Sequence, residues 1–104
     1  MILRFSKSAQ RDLQGISQYT QKNWGLEQEE LYLNTLFDRL EGIKDDPKRW
    51  QKRDDLVSGS QSASIGKHIV FFRLHDDVIQ VARILHQQMD FMRHLDERDF
   101  EVNS

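Results

Sequence analysis

The apolar positions follow two periods, and the change between them divides the chain. Ile2-Leu3-Arg4-Phe5 reads as a short strand. Behind it, Ser6 or Ser8 can cap a helix by accepting a bond from an orphan backbone N–H. Ala9, Leu13, Ile16 and Thr20 then recur at intervals of four, three and four, which is one helical stripe. Gly25 can end that helix in the left-handed conformation. A second stripe, Leu26, Leu33, Leu36, Phe37, Leu40 and Ile43, predicts a helix over about Leu26 to Lys44, and Pro47 beyond it cannot continue one. The short connection makes the pair an antiparallel hairpin. Asp45 to Leu56 is a charged loop with Trp50 as an exposed-looking anchor. Gly59 to Ile65 is small and polar, a weak strand expected at an edge. After Gly66, Lys67 to His75 and Val78 to His86 are strong strands joined by an Asp76-Asp77 turn. The order is β-α-α-β-β-β. This predicts an α+β fold of N-terminal strand, antiparallel helical hairpin and three-stranded antiparallel meander, with the helices packed on one sheet face. One domain is expected over 1–95, with Asp96 to Ser104 a frayed tail.

Strand alternation sorts the side chains. His68, Val70, Phe72 and Leu74 form the expected core face toward the helices, and Lys67, Ile69, Phe71, Arg73 and His75 point the other way. An Ile-Phe pair rimmed by charge fits either a half-exposed sheet face or a docking surface for an amphipathic segment of a partner. In the last strand Val78, Ala82 and Ile84 share one face, and Ile79, Val81 and Leu85 the other. A strand apolar on both faces is normally covered on both. The hairpin covers one, so the tail, a second copy or a partner must cover the other. Arg83, on the side of Ile79 and Leu85, needs an acceptor, for which Asp90 is the candidate. Asp90, Arg93 and His94 lie three and four apart, so one helical turn would group them as a salt-bridged terminus or as a contact surface.

Composition narrows the chemistry. With 104 residues, 38% hydrophobic and 31% charged, the chain has material for one modest core. Its net charge is −2, with six basic and six acidic groups in residues 1–44 and nine and eleven in 45–104. The basic footprint that phosphate neutralisation leaves on nucleic-acid binders is missing. There is no cysteine, hence no disulfide framework and no thiolate metal site. No secretory leader or membrane-length apolar run is evident. The four histidines, at 68, 75, 86 and 94, match no zinc spacing. Neither a Gly-rich phosphate loop nor a nucleophile motif is present. No metal, cofactor or catalytic group is therefore expected.

Two stretches carry more than a fold pattern. Tyr19-Thr20-Gln21-Lys22-Asn23-Trp24-Gly25 resembles the YT-x-x-x-WG helix ending of the ParE toxins, in the RelE/ParE superfamily of bacterial toxin–antitoxin modules. Arg83-Ile84-Leu85-His86-Gln87-Gln88-Met89-Asp90-Phe91-Met92-Arg93-His94-Leu95 resembles their closing motif, RILH-x-x-MD-x-x-RHL. The likeness runs from about Phe5 to Leu95. It implies the toxin of a type II module, a cytoplasmic protein neutralised by a ParD-like antitoxin in a hetero-oligomeric complex, with DNA gyrase as its target and DNA met only through the antitoxin. Antitoxin binding would fall on Ile69, Phe71, Arg73 and Arg83. Target binding would fall on Met89, Asp90, Arg93 and His94.

The superfamily also holds RelE-like members that cleave mRNA on the ribosome. Such a cleaver needs clustered Arg and Lys to stabilise phosphorane charge, and a proton-transfer group. This chain is acidic overall, and its tyrosines, Tyr19 and Tyr32, both lie in the helical region. The tyrosine that several ribosome-dependent relatives carry near the C-terminus has no counterpart. A gyrase inhibitor without catalysis is thus the first reading; an mRNA interferase and a non-toxic corepressor are the alternatives. One departure stands out: Gln61 occupies the place where ParE-like chains often have an arginine in a Gly-x-Arg segment. A weakened, silent or retargeted toxin stays open on that ground.

Overall fold

In the computed structural model, which describes residues 1–101, the two sequence periods become a helical hairpin laid on a five-stranded mixed sheet. The elements are β1 (Ile2–Phe5), α1 (Lys7–Trp24), α2 (Leu26–Gly42), β2 (Gln51–Lys52), β3 (Ser60–Ile65), β4 (His68–His75), β5 (Val78–His86) and a one-turn α3 (Phe91–His94). Short 3-10 turns occupy Ile43–Asp45, Pro47–Arg49 and Glu97–Phe100. Ser6 caps α1, its hydroxyl accepting from the Ala9 N–H at 2.9 Å. Gly25 alone joins the helices: at φ +94° its N–H bonds the Gln21 carbonyl and its carbonyl accepts from the Glu29 N–H. A side chain at that φ would be strained.

The sheet order is β1-β5-β4-β3-β2, with β1 parallel to β5 and the remaining pairs antiparallel. The expected fold class is therefore what the chain adopts, with one strand more. β2 pairs outside β3, so the segment expected at an edge is largely buried instead. Its polar side chains are satisfied internally. Ser60 Oγ donates toward the carbonyls of Val57 at 2.6 Å and Arg53 at 2.9 Å. Trp50 is half-buried against the main core, with the Arg49 guanidinium 4.7 Å above its ring, and is not an exposed anchor.

Helix and sheet meet over Ala9, Ile16, Leu36, Leu40 and Ile43 on one side and Val70, Phe72, Ile79, Val81 and Ile84 on the other. The faces expected for β5 are only partly right, because a bulge breaks its alternation. Phe71 pairs with Arg83 but Phe72 pairs with Val81, leaving Ala82 as an extra residue. Ile79, Val81 and Ile84 therefore all reach the helix-side core, while Ala82 and Leu85 turn to the opposite face. Leu26 and Phe37, assigned to the stripe of the second helix, end up exposed.

The opposite face has its own core, made by the C-terminal segment. Val57, Phe71, Ala82 and Leu85 are buried beneath Leu95 and Phe100, with Met89 and Phe91 alongside. The expected frayed tail is, over Asp96–Glu101, a 3-10 turn with a capping box between Asp96 and Asp99 and with Phe100 only 1% exposed. Residues 102–104 of that tail lie outside the described residues. Burial of Phe100, one of the largest side chains in the chain, outweighs the chain-end entropy that favoured fraying.

His68, at the start of β4, hydrogen-bonds Tyr32 of α2 through Nδ1 and meets the His86 ring edge-on at 5.5 Å. Burial, and then His86, hold its imidazole below the usual histidine range, against the pull of the Asp12 carboxylate. Burial also pushes the Tyr32 phenol up, opposed by the Lys67 backbone. The unfolded chain takes up a proton at His68 near the ordinary value of 6.5, whereas the folded chain resists it. Stability is thus complete above that value and falls as pH drops below it. Urea midpoints measured from pH 7.5 down to 5 should decline in the native protein and decline less in His68→Asn.

Candidate partner-binding surface

Arg83 is a fastening rather than an open contact. Its Nε and Nη2 donate to the two carboxylate oxygens of Asp12 on α1, at 2.8 and 2.9 Å, and its Nη1 donates to the His94 carbonyl at 2.6 Å. Asp12 also accepts the Ile84 N–H at 2.9 Å, and Ser6 Oγ donates to the Ala82 carbonyl at 2.6 Å. Both bonds satisfy the stretch of β5 that runs past the end of β1. The bond to Asp12 raises the guanidinium above its already high range, against burial. The acceptor expected for Arg83 was Asp90. The structure gives Asp12 instead, because α1 crosses β5 at that level, while Asp90 faces Arg93 at 3.5 Å.

The other residues expected to bind an antitoxin are also engaged within the chain. Phe71 is fully buried, edge-on to Phe91 at a ring separation of 5.1 Å, with the Arg53 guanidinium 5.6 Å from both rings. Ile69 packs half-buried in the same cluster. Arg73 lies over the Phe100 ring at 4.9 Å and pairs with Glu97 at 2.7 Å. The face read as a possible docking surface is covered by the chain's own C-terminal segment.

The four expected target contacts separate. Asp90, Arg93 and His94 are exposed at one end of the molecule, beside Met92 at 75% exposure, while Met89 is half-buried. Leu95, from the same motif, is buried. The segment therefore also contributes to the core on the sheet's far face. The sequence reading missed the tip of the helical hairpin, where Tyr19, Trp24 and Leu26 are each about two-thirds exposed. Aromatic residues flanking a helix-ending glycine were the available signal. Beside the tip, Leu13, Gln14, Ser17, Gln18, Leu33 and Phe37 line an open groove of about 360 Å³ between the helices. Gln61 is buried, and its Nε2 donates to the carbonyls of Pro47 at 2.8 Å and Trp50 at 3.2 Å. Here the position anchors a loop. Among the described residues no group of three or more His, Cys, Asp or Glu is placed to hold a metal ion.

Residues 3–91 match the family model described as the ParE toxin of the type II toxin–antitoxin system, parDE. The chain belongs to the ParE toxin family. "Toxin ParE1" of Caulobacter vibrioides is 35% identical over 92 residues, 88% of this chain and 95% of that protein. "Toxin ParE1" of Mycobacterium tuberculosis is 34% identical over 91 residues, 86% and 93% of the two chains. A solved chain from the "Chromosomal ParDE TA system from P. aeruginosa" superposes with a TM-score of 0.73 at 19% identity, covering 83% of this chain and 95% of its own, which establishes the shared fold.

Removing Asp12 would leave a mostly buried guanidinium and the Ile84 N–H without their acceptor. Asp12→Ala should therefore cost about 3 kcal/mol, as breaking one side of a buried pair does. Arg93→Ala, on a side chain 82% exposed, should stay within about 0.5 kcal/mol. Urea unfolding of the two variants checks the contrast.

Proposed function

We propose that this chain is the toxin of a ParDE-type module, that a ParD-like antitoxin neutralises it, and that it acts by binding DNA gyrase rather than by cleaving RNA. The observation that carries the reading is membership of the ParE family over residues 3–91. The three arginines nearest the C-terminal segment support a non-catalytic mode. Arg53 pairs with Asp55, Arg73 with Glu97 and Arg83 with Asp12. Guanidiniums held by carboxylates are poorly placed to gather on a scissile phosphate. His68 and Tyr32, the histidine and tyrosine that touch, are partly buried and bonded to each other. Among the described residues no helix is long and apolar enough to cross a membrane, which accords with action in the cytoplasm.

Two exposed regions are the proposed contacts for large partners. One is Asp90, Met92, Arg93 and His94; the other is the hairpin tip with Tyr19 and Trp24. Tyr, Trp and Arg anchors are the residue types that dominate protein interfaces. Supercoiling by purified gyrase should fall with added toxin and recover when the antitoxin from the adjacent reading frame is added. The change Met92→Ala with Arg93→Ala should weaken inhibition at least tenfold, about 1.4 kcal/mol of binding, at unchanged stability. Codon-positioned cuts in mRNA on translating ribosomes would instead assign the RelE-like activity. Loss of gyrase inhibition together with intact antitoxin binding would leave the corepressor role.

A further inference from the structure

The outer face of the helical hairpin has two halves of opposite charge on either side of an apolar groove. Leu26, Leu33 and Phe37 are spaced like a buried stripe, yet Leu26 is 67% and Phe37 42% exposed. Leu33 and Phe37, with Leu13 of α1, line the open groove between the helices. A ridge of exposed polar side chains flanks it on each helix. On α1 the ridge is Lys7, Arg11, Gln14, Gln18 and Lys22, at intervals of four, three, four and four. On α2 it is Glu27, Glu30, Asn34, Asp38 and Glu41, at intervals of three, four, four and three. The first ridge carries only positive charge and the second only negative. The acid of α1, Asp12, is turned inward to Arg83. Among the described residues, Glu41 is the one charge of either ridge with an ion-pair partner in its own chain, Lys44 at 2.7 Å.

We propose that this face is self-complementary and binds a second copy of the chain, the two hairpins closing into a four-helix bundle. The two-fold axis runs along the groove and sets α1 of one copy against α2 of the other, antiparallel, with Leu13, Leu33 and Phe37 of both copies between them. An axis at right angles would set α1 on α1 and bring like charges together. The levels along the helices agree with the first arrangement. Arg11 stands four residues inside the start of α1 and Asp38 four before the end of α2, so each Arg11 meets the Asp38 carboxylate of the other copy. Lys22 and Glu27 meet in the same way on either side of the turn at Gly25, and Lys7 and Glu41 at the far end. Both hairpin tips then point the same way, so a partner would meet two sets of Tyr19 and Trp24 together. The helices have 18 and 17 residues. At about 1.5 Å per residue and about 10 Å between axes, covering this face on two copies removes on the order of 1,000 Å², the lower bound for a specific interface. The dimer is accordingly a reversible one, with a dissociation constant in the micromolar range.

Sedimentation equilibrium of the full chain, without antitoxin, reads the association directly. The native chain should exchange between monomer and dimer with concentration. Arg11→Glu alone and Asp38→Arg alone should each weaken the dimer at least tenfold, because each places two like-charge pairs across the axis. Mixed one to one, the two variants should associate within about threefold of the native affinity, since the mixed dimer restores both opposite-charge pairs. Only a contact between copies can give that recovery. Both positions are exposed; should either variant fail to fold, Lys22→Glu mixed with Glu27→Lys makes the same test near the tip. A native chain that stays monomeric overturns the proposal. So does a dimer indifferent to these changes, or one that mixing does not restore, since another face then holds it. Hydrogen exchange names the other occupant. Amides 33–37 that gain protection only when the antitoxin is added, in a chain monomeric by itself, assign the groove to the antitoxin and overturn the proposal. The mixing test involves neither gyrase nor antitoxin, so its failure and failure of the functional reading are told apart.

Discussion

Asp12 is the point at which three parts of the molecule are tied together. Its carboxylate sits on α1, accepts from Nε and Nη2 of Arg83 on β5 and caps the Ile84 amide on the same strand. Arg83 passes the connection on to the C-terminal segment through the His94 carbonyl. The bond to Ile84 answers a specific need. β1 pairs with β5 only as far as Val81, so the rest of that strand would otherwise show unpaired amides. A buried amide without an acceptor costs of the order of 1–3 kcal/mol, and α1 supplies polar side chains where the ladder stops. Charge and backbone satisfaction are thus met by the same two side chains.

The second constraint is that β5 is apolar on both faces in a chain with one helical hairpin. The bulge at Ala82 distributes the load: it gives Ile79, Val81 and Ile84 to the helices and Ala82 and Leu85 to the far side. Phe71, Leu95 and Phe100 then build a second core around the latter pair. A small domain has little apolar material to spare, and here even the closing turns of the chain are drawn into burial. The ParE-like closing motif is accordingly divided in its roles, with Phe91 and Leu95 facing inward and Met92 and Arg93 facing out.

That division bears on how such a protein meets partners. The exposed large apolar and aromatic side chains lie mainly at the hairpin tip and on the outer side of α3. The sheet face opposite the helices is taken by the C-terminal segment of this protein.

By itself the sequence determined the element types and their order, because those depend on local periods: the four-three-four stripe of α1, the break at Gly25, the alternation of β4. It also carried the family, through the residues Tyr19–Gly25 and Arg83–Leu95. What it could not determine depends on which segments meet. The Asp12–Arg83 pair joins positions 71 apart, and nothing local distinguishes Asp12 from Asp90 as the acceptor. The parallel place of β1 beside β5, the bulge at Ala82 and the cover given to β3 by β2 are registers between strands, invisible to a period read along one of them. The charged tail was misread for the same reason. Phe100 is one aromatic among acidic neighbours, and only the tertiary structure, by placing Phe71 and Leu85 beneath it, supplies the surface that makes its burial favourable.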